Sequence, residues 1–128
     1  MSVLMILLVG VAGGTGAAAR FVLDGAIRSR FATTIPWSTV AINVLGSGLL
    51  GLLGGLALGT QVPLAVELIA GVGFLGGFTT FSTASVETAR LIQSGQLWRA
   101  VVNGLGTAAL ALLAAAAGLA IGTLLIVG

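Results

Sequence analysis

Residues 73–83 read Gly73-Phe74-Leu75-Gly76-Gly77-Phe78-Thr79-Thr80-Phe81-Ser82-Thr83. They fall inside an apolar stretch that runs from about Leu64 to Glu87, long enough to cross a bilayer. A glycine in a helix interior costs about 1 kcal/mol relative to alanine. Two together at Gly76-Gly77, followed by β-branched and hydroxyl residues, make a poor continuous helix. In hydrocarbon each freed backbone group costs several kcal/mol unless something satisfies it, so irregular backbone at that depth belongs in protein or against a cavity. Broken helices present carbonyls to cations and N–H groups to anions. The stretch therefore predicts a third span broken near mid-membrane at Gly76-Gly77, with an ion site over Gly76–Thr83. The competing expectation is that Gly77 is a packing notch and the hydroxyls bond back along the helix.

The surrounding composition makes the bilayer the solvent. The chain has 128 residues, of which 58% are apolar and 21 are Gly. Its charges are five Arg and three acids, or 6% of the chain, against about 25% in a soluble domain. That is too few to coat a water-facing surface. With net charge +2 and no basic cluster, nucleic-acid binding is excluded. There is no Cys and no His, so thiol, imidazole and zinc-site chemistry are absent, and the sequence is not that of an enzyme.

Three further spans read from about 3–23, 38–58 and 100–127, giving one all-α membrane domain over 1–128. The connections fall at 24–37, 59–63 and 90–99, where Pro, Gly and charge collect. No positive residue precedes the first apolar run, which reads as a mature helix and not a signal peptide. Small residues recur at i+4 as Gly10, Gly14 and Ala18, as Gly51 and Gly55, and as Gly118 and Gly122, spacing that lets helices approach closely in lipid. A bundle of this size fills its own centre and leaves no lumen. A transport path must then lie between subunits, so an oligomer is expected.

Neutral donors align with the third span. Thr39, Asn43 and Ser47 form an i, i+4, i+8 stripe on the second helix, and Asn103 and Thr107 an i, i+4 pair on the fourth. They read either as an ion path or as hydrogen bonds between helices. Arg20 lies near the end of the first span, where it either snorkels or draws anions into a vestibule. Glu67 reads as interfacial. Glu87 stands three residues before Arg90, the spacing of an ion pair within one helix.

The 73–83 motif with Glu87-Thr88, the segment 13–20 ending in Arg20, and the segment 37–46 around Asn43 together resemble the CrcB/Fluc fluoride channels along nearly the whole chain. The resemblance implies an antiparallel, dual-topology-type dimer in a prokaryotic plasma membrane, passively exporting F⁻ through two pores at the dimer interface and protecting the cell from fluoride. It implies a structural, non-transported Na⁺ at the dimer centre, held by backbone carbonyls that match Gly76 and Thr79. Asn43 matches the pore asparagine, Phe81 the first of two pore phenylalanines, and Thr80, Ser82 and Thr83 the neighbouring hydroxyls. Asn103 and Thr107 fall on the polar track, with Arg20 and Glu87 at the vestibule. Phe78 joins the pore candidates as the motif aromatic nearest before Phe81, although it lies nearly two turns before the position of the second ring.

Two features depart from that pattern. The second pore phenylalanine is replaced by Ala84. Threading four spans also places Arg20, Arg28, Arg30, Arg90 and Arg99 on one side, with Trp37 and Trp98, which predicts a single orientation by the positive-inside rule. An antiparallel homodimer needs both orientations. The expectation is therefore a heterodimer with a paralogous subunit of opposite bias, with a half-competent or non-conducting partner subunit as the alternative role. A small multidrug exporter is set aside because span 3–23 holds no acid.

Overall fold

The computed structural model describes residues 2–31, 36–59 and 62–128. Helix α1 is Val3–Arg30, α2 is Trp37–Ala57, α4 is Phe81–Gln93 and α5 is Leu97–Val127. Between α2 and α4 lies a helical run, α3, over 64–78. It comprises Leu64–Val66, a π-helical stretch Glu67–Leu75 and a closing turn Gly76–Phe78. Taken as α1, α2, α3 with α4, and α5, four helical spans are long and apolar enough to cross a membrane. The chain is a multi-pass membrane protein. Of the expected connections, 32–35 in the first and 60–61 in the second lie outside the described residues.

Three of the four spans outrun the expected boundaries. Helix α1 continues through 24–30, a stretch read from sequence as connection. The charges there favour helix instead: Arg28 Nε meets Asp24 Oδ1 at 2.8 Å, an i,i+4 pair, and Arg28 and Arg30 sit in the last turn, where cations suit the helix dipole. Helix α4 likewise runs past Glu87 to Gln93, and α5 starts at Leu97. The α4–α5 turn is closed by Gly95, whose φ of 80° suits a residue without Cβ.

The packing rests on glycine, in two helix pairs. In the first, α2 lies along α5. A Cβ on Gly51 would strike the Ala115 backbone, one on Gly118 the Gly48 backbone, and one on Gly122 the Leu52 carbonyl. The expected notches at Gly51, Gly55, Gly118 and Gly122 are therefore real contacts. In the second pair, α1 meets α3, but through Gly13 and Gly16 rather than Gly10 and Gly14. A Cβ on Gly16 would collide with the Phe74 carbonyl, and one on Gly77 with the Gly13 carbonyl. Gly10 and Gly14 have open space before them, and with Ala18 form an exposed stripe of small residues. Most large apolar side chains face outward, among them Leu105, Leu112 and Leu113. Their solvent is lipid or a second subunit.

Candidate functional site

The third span breaks at Thr79-Thr80, not at Gly76-Gly77. Thr79 (φ −79°, ψ 155°) and Thr80 (φ −145°, ψ 116°) are extended, whereas Gly76 (φ −61°, ψ −41°) is helical. The helix crossing at Gly13 explains the shift, since Gly77 is needed there as a flat helical surface. Two β-branched residues follow, and Thr80 then starts a new helix as its N-cap, its Oγ1 accepting from the Thr83 N–H at 3.2 Å. Gly77 is thus the packing notch of the alternative reading, and the break lies just beyond it.

Asn43 holds the break open. Its Nδ2 donates to the Thr80 carbonyl at 2.9 Å, and its Oδ1 accepts from the Thr80 N–H at 2.8 Å. The amide thus satisfies both backbone groups of an extended residue, as a neighbouring strand would. Asn43 is buried, and its second amide hydrogen is not used in this pair. Arg20 caps the same break: its Nε donates to the Gly77 carbonyl at 3.3 Å, placing a cation at the end of α3.

The break leaves carbonyls without their helical partners. The Thr80 N–H that would bond Gly76 goes to Asn43, and the Thr83 N–H that would bond Thr79 goes to Thr80 Oγ1. Gly76 itself is exposed. Among the described residues no cluster of His, Cys, Asp or Glu could ligate a metal. Neutral carbonyl oxygens are the donors a monovalent alkali cation accepts.

A groove of about 540 Å³ opens beside the break on the outside of the chain. Asn43 and Ser47 of α2, Thr79 to Phe81, Ala84 and Thr88 of α4, and Thr107 of α5 line it. The structure therefore brings together Asn43, Phe81, Thr80 and Thr107. Ala84 lies on this wall. The Phe81 ring is 88% exposed, standing out from a single chain.

Other expected residues lie elsewhere. Phe78 is buried against Phe74, ring centroids 6.1 Å apart, and does not line the groove; it is core. Ser82 and Thr83 gather around Thr80 Oγ1 as part of the cap, at 3.5 and 3.1 Å, and are not on the groove wall. Asn103 is 1% exposed and sits behind the wall, its Nδ2 donating to Thr88 Oγ1 at 2.9 Å. Among the described residues, Asn103 Oδ1 and Thr107 Oγ1 are buried without a partner. Such atoms in a native core call for water or a ligand.

At the charged end the expected Glu87–Arg90 pair is not made. Glu87 Oε1 accepts from the Thr39 hydroxyl at 2.6 Å and lies 3.4 Å from Arg28 Nη2. Asp24 accepts from Ser38 Oγ at 2.6 Å as well as from Arg28. No local spacing signals the Arg28–Glu87 contact, because the two residues are 59 positions apart on different helices, while Arg90 stands at a plausible local spacing. The shared end of α1, α2 and α4 was the available signal.

Comparison with known proteins covers the same elements. Residues 7–119 match the family model described as CrcB-like protein, Camphor Resistance (CrcB). The chain is 52% identical over 124 residues to fluoride-specific ion channel FluC 1 of Leifsonia xyli subsp. xyli, an alignment covering 97% of this chain and 90% of that protein. It is 49% identical over 116 residues to fluoride-specific ion channel FluC 2 of Cutibacterium acnes, covering 88% and 93%. It is 44% identical over 120 residues to fluoride-specific ion channel FluC of Magnetococcus marinus, covering 91% and 96%. These relatives are ion channels by name, not enzymes. The match reaches from α1 across the broken third span into α5, and the chain belongs to the CrcB family.

Proposed function

We propose that this chain is a subunit of a fluoride-specific channel of the plasma membrane, passively exporting F⁻ from the cell along the groove beside the Thr79-Thr80 break. The observation that carries the reading is the Asn43–Thr80 clamp on the groove wall. It holds an irregular backbone open while keeping a donor free. Fluoride is small and strongly hydrated, so leaving water requires several donors together. The Asn43 amide, the Thr107 hydroxyl and the positive edge of the Phe81 ring are such donors on one wall. None carries a charge that would trap the ion. Arg20 supplies a cation at the break. Phe78, Ser82, Thr83 and Asn103 support this wall from behind or from the cap.

The groove is open along one side, and the Phe81 ring and the Gly10, Gly14, Ala18 stripe both face outward. These features support an antiparallel dimer in which a second subunit closes the path. The Gly76 and Thr79 carbonyls, which lack their helical partners among the described residues, fit a structural Na⁺ at the dimer centre. When bound, such an ion supplies a fixed positive charge between the anion paths.

Ala84 tests the wall directly. Ala84→Phe puts a ring into the groove and raises fluoride efflux from liposomes severalfold, because a second aromatic edge joins Phe81. Unchanged efflux from a folded variant would remove position 84 from the path.

Arg28, Arg30, Arg90 and Arg99 lie at one end of the bundle and Arg20 beside the break, an asymmetry that supports a heterodimer with a paralogue of opposite bias. Native mass measurement of the assembly, purified on a tag carried by this chain, then gives one copy of it with one different subunit. Twice the mass of this chain would establish the homodimer instead.

A further inference from the structure

Glu87 sets a negative charge at the end of an anion path. Thr39 lies one turn before Asn43 on α2, and its hydroxyl donates to Glu87 Oε1 at 2.6 Å. Glu87 itself lies one turn past Ala84 on α4, toward the charged end. The polar line Ser47, Asn43, Thr39 therefore runs out of the groove onto this carboxylate. Its side chain is only 13% exposed, so water screens it poorly. An unopposed carboxylate there would repel the anions arriving from that end.

Arg28 is the group that faces it. The guanidinium is forked: Nε bonds Asp24 Oδ1 at 2.8 Å and Nη2 lies 3.4 Å from Glu87 Oε1 and 3.5 Å from Thr39 Oγ1. Asp24 is tied in turn to Ser38 at 2.6 Å, so the fork is anchored on α1 and α2 before it reaches α4. Arg90, the nearest cation on the same helix as Glu87, forms no ion pair with it among the described residues. We infer that Arg28 is a positioning residue for anion entry: held by Asp24 and Ser38, it offsets one of the two carboxylate charges, those of Asp24 and Glu87, at the mouth of the groove and so sets the fluoride concentration at which the path fills.

The inference rests on the channel reading above and adds to it the control of entry. A unit charge acting across roughly 10 Å of partly wet protein changes local anion occupancy about tenfold. Its removal acts on loading and not on passage, so the half-saturating fluoride concentration moves while the maximal flux stays.

The test is a double-mutant cycle on fluoride efflux from liposomes holding the assembly purified on a tag carried by this chain. Arg28→Gln raises the half-saturating concentration about tenfold, Glu87→Gln lowers it, and the double variant, which restores the net charge of the mouth, returns it to within about twofold of wild type. Arg28→Lys, which keeps the charge but loses the fork, stays within about threefold of wild type. The inference is overturned if Arg28→Gln has no effect or lowers only the maximal flux, or if the double variant stays as impaired as Arg28→Gln alone. It is overturned also if the Lys variant is as impaired as the Gln variant. All these outcomes leave the channel reading standing, whereas an unmutated assembly that passes no fluoride overturns that reading and this inference together.

Discussion

Asn43→Asp abolishes fluoride flux, lowering it at least about a hundredfold, in liposomes holding the purified assembly. Two effects act in the same direction. A carboxylate within about 4 Å of a passing anion opposes it by roughly 4 kcal/mol at an effective dielectric near 20, which alone exceeds a hundredfold. The substitution also turns the donor facing the Thr80 carbonyl into an acceptor, so a bond of 2.9 Å becomes a repulsive contact between oxygens. Asn43→Ala separates the two effects. It places no charge in the path but leaves both backbone groups of Thr80 unpaired, at a cost of about 2–4 kcal/mol in stability. Near-normal flux from a folded Asn43→Asp variant would take Asn43 out of the path and leave it as a clamp on the break.

Gly77→Ala is expected to be among the most damaging single-methyl additions in the chain. The new methyl meets the carbonyl, carbonyl carbon and Cα of Gly13, all backbone atoms that cannot rotate away. The helices α1 and α3 must separate, costing about 3 kcal/mol or more. Arg20 then loses its position at the Gly77 carbonyl, so the break is disturbed along with the packing. Folded yield in detergent and the unfolding midpoint both fall sharply. Gly25→Ala on α1 is the control. Among the described residues nothing stands within 4 Å of the added methyl there, and the helix gains about 0.5–1 kcal/mol. Equal stability of the two variants would mean that α1 and α3 do not meet at Gly13 and Gly77.

The spans were legible because the apolar runs are long and the charges few. Their ends were not. At 24–30 the charges looked like a connection, yet Asp24 and Arg28 pair within a helix that simply continues. The third span was legible as broken, but two to three residues too early. Glycine propensity points to Gly76-Gly77. The partners that decide the site of the break, Gly13 on α1 and Asn43 on α2, belong to other helices. Asn43 is the only amide in the span 38–58, and it is the residue that bridges the break. Phe78 could not be told from Phe81 by composition. The structure turns one ring into the core and the other outward. The Arg28–Glu87 contact was hidden for the same reason as the break's position, since it joins residues that no local period connects.

Gly10, Gly14 and Ala18 show a similar limit. Their i+4 spacing predicts close approach to another helix, but among the described residues Gly10 and Gly14 face open space, and Gly13 and Gly16, one and two positions from Gly14, make the contact with α3. A helix with glycine on two faces has one for its own bundle and one left over. In a subunit whose ion groove is also open, the leftover face belongs to the account of assembly.

The most direct measurement is ion efflux from liposomes holding the assembly purified on a tag carried by this chain, with fluoride and chloride gradients compared in one preparation. The account predicts rapid fluoride efflux with no measurable chloride efflux, and loss of the fluoride signal in Asn43→Asp. Equal passage of both anions, or no fluoride efflux from a folded assembly, would contradict it.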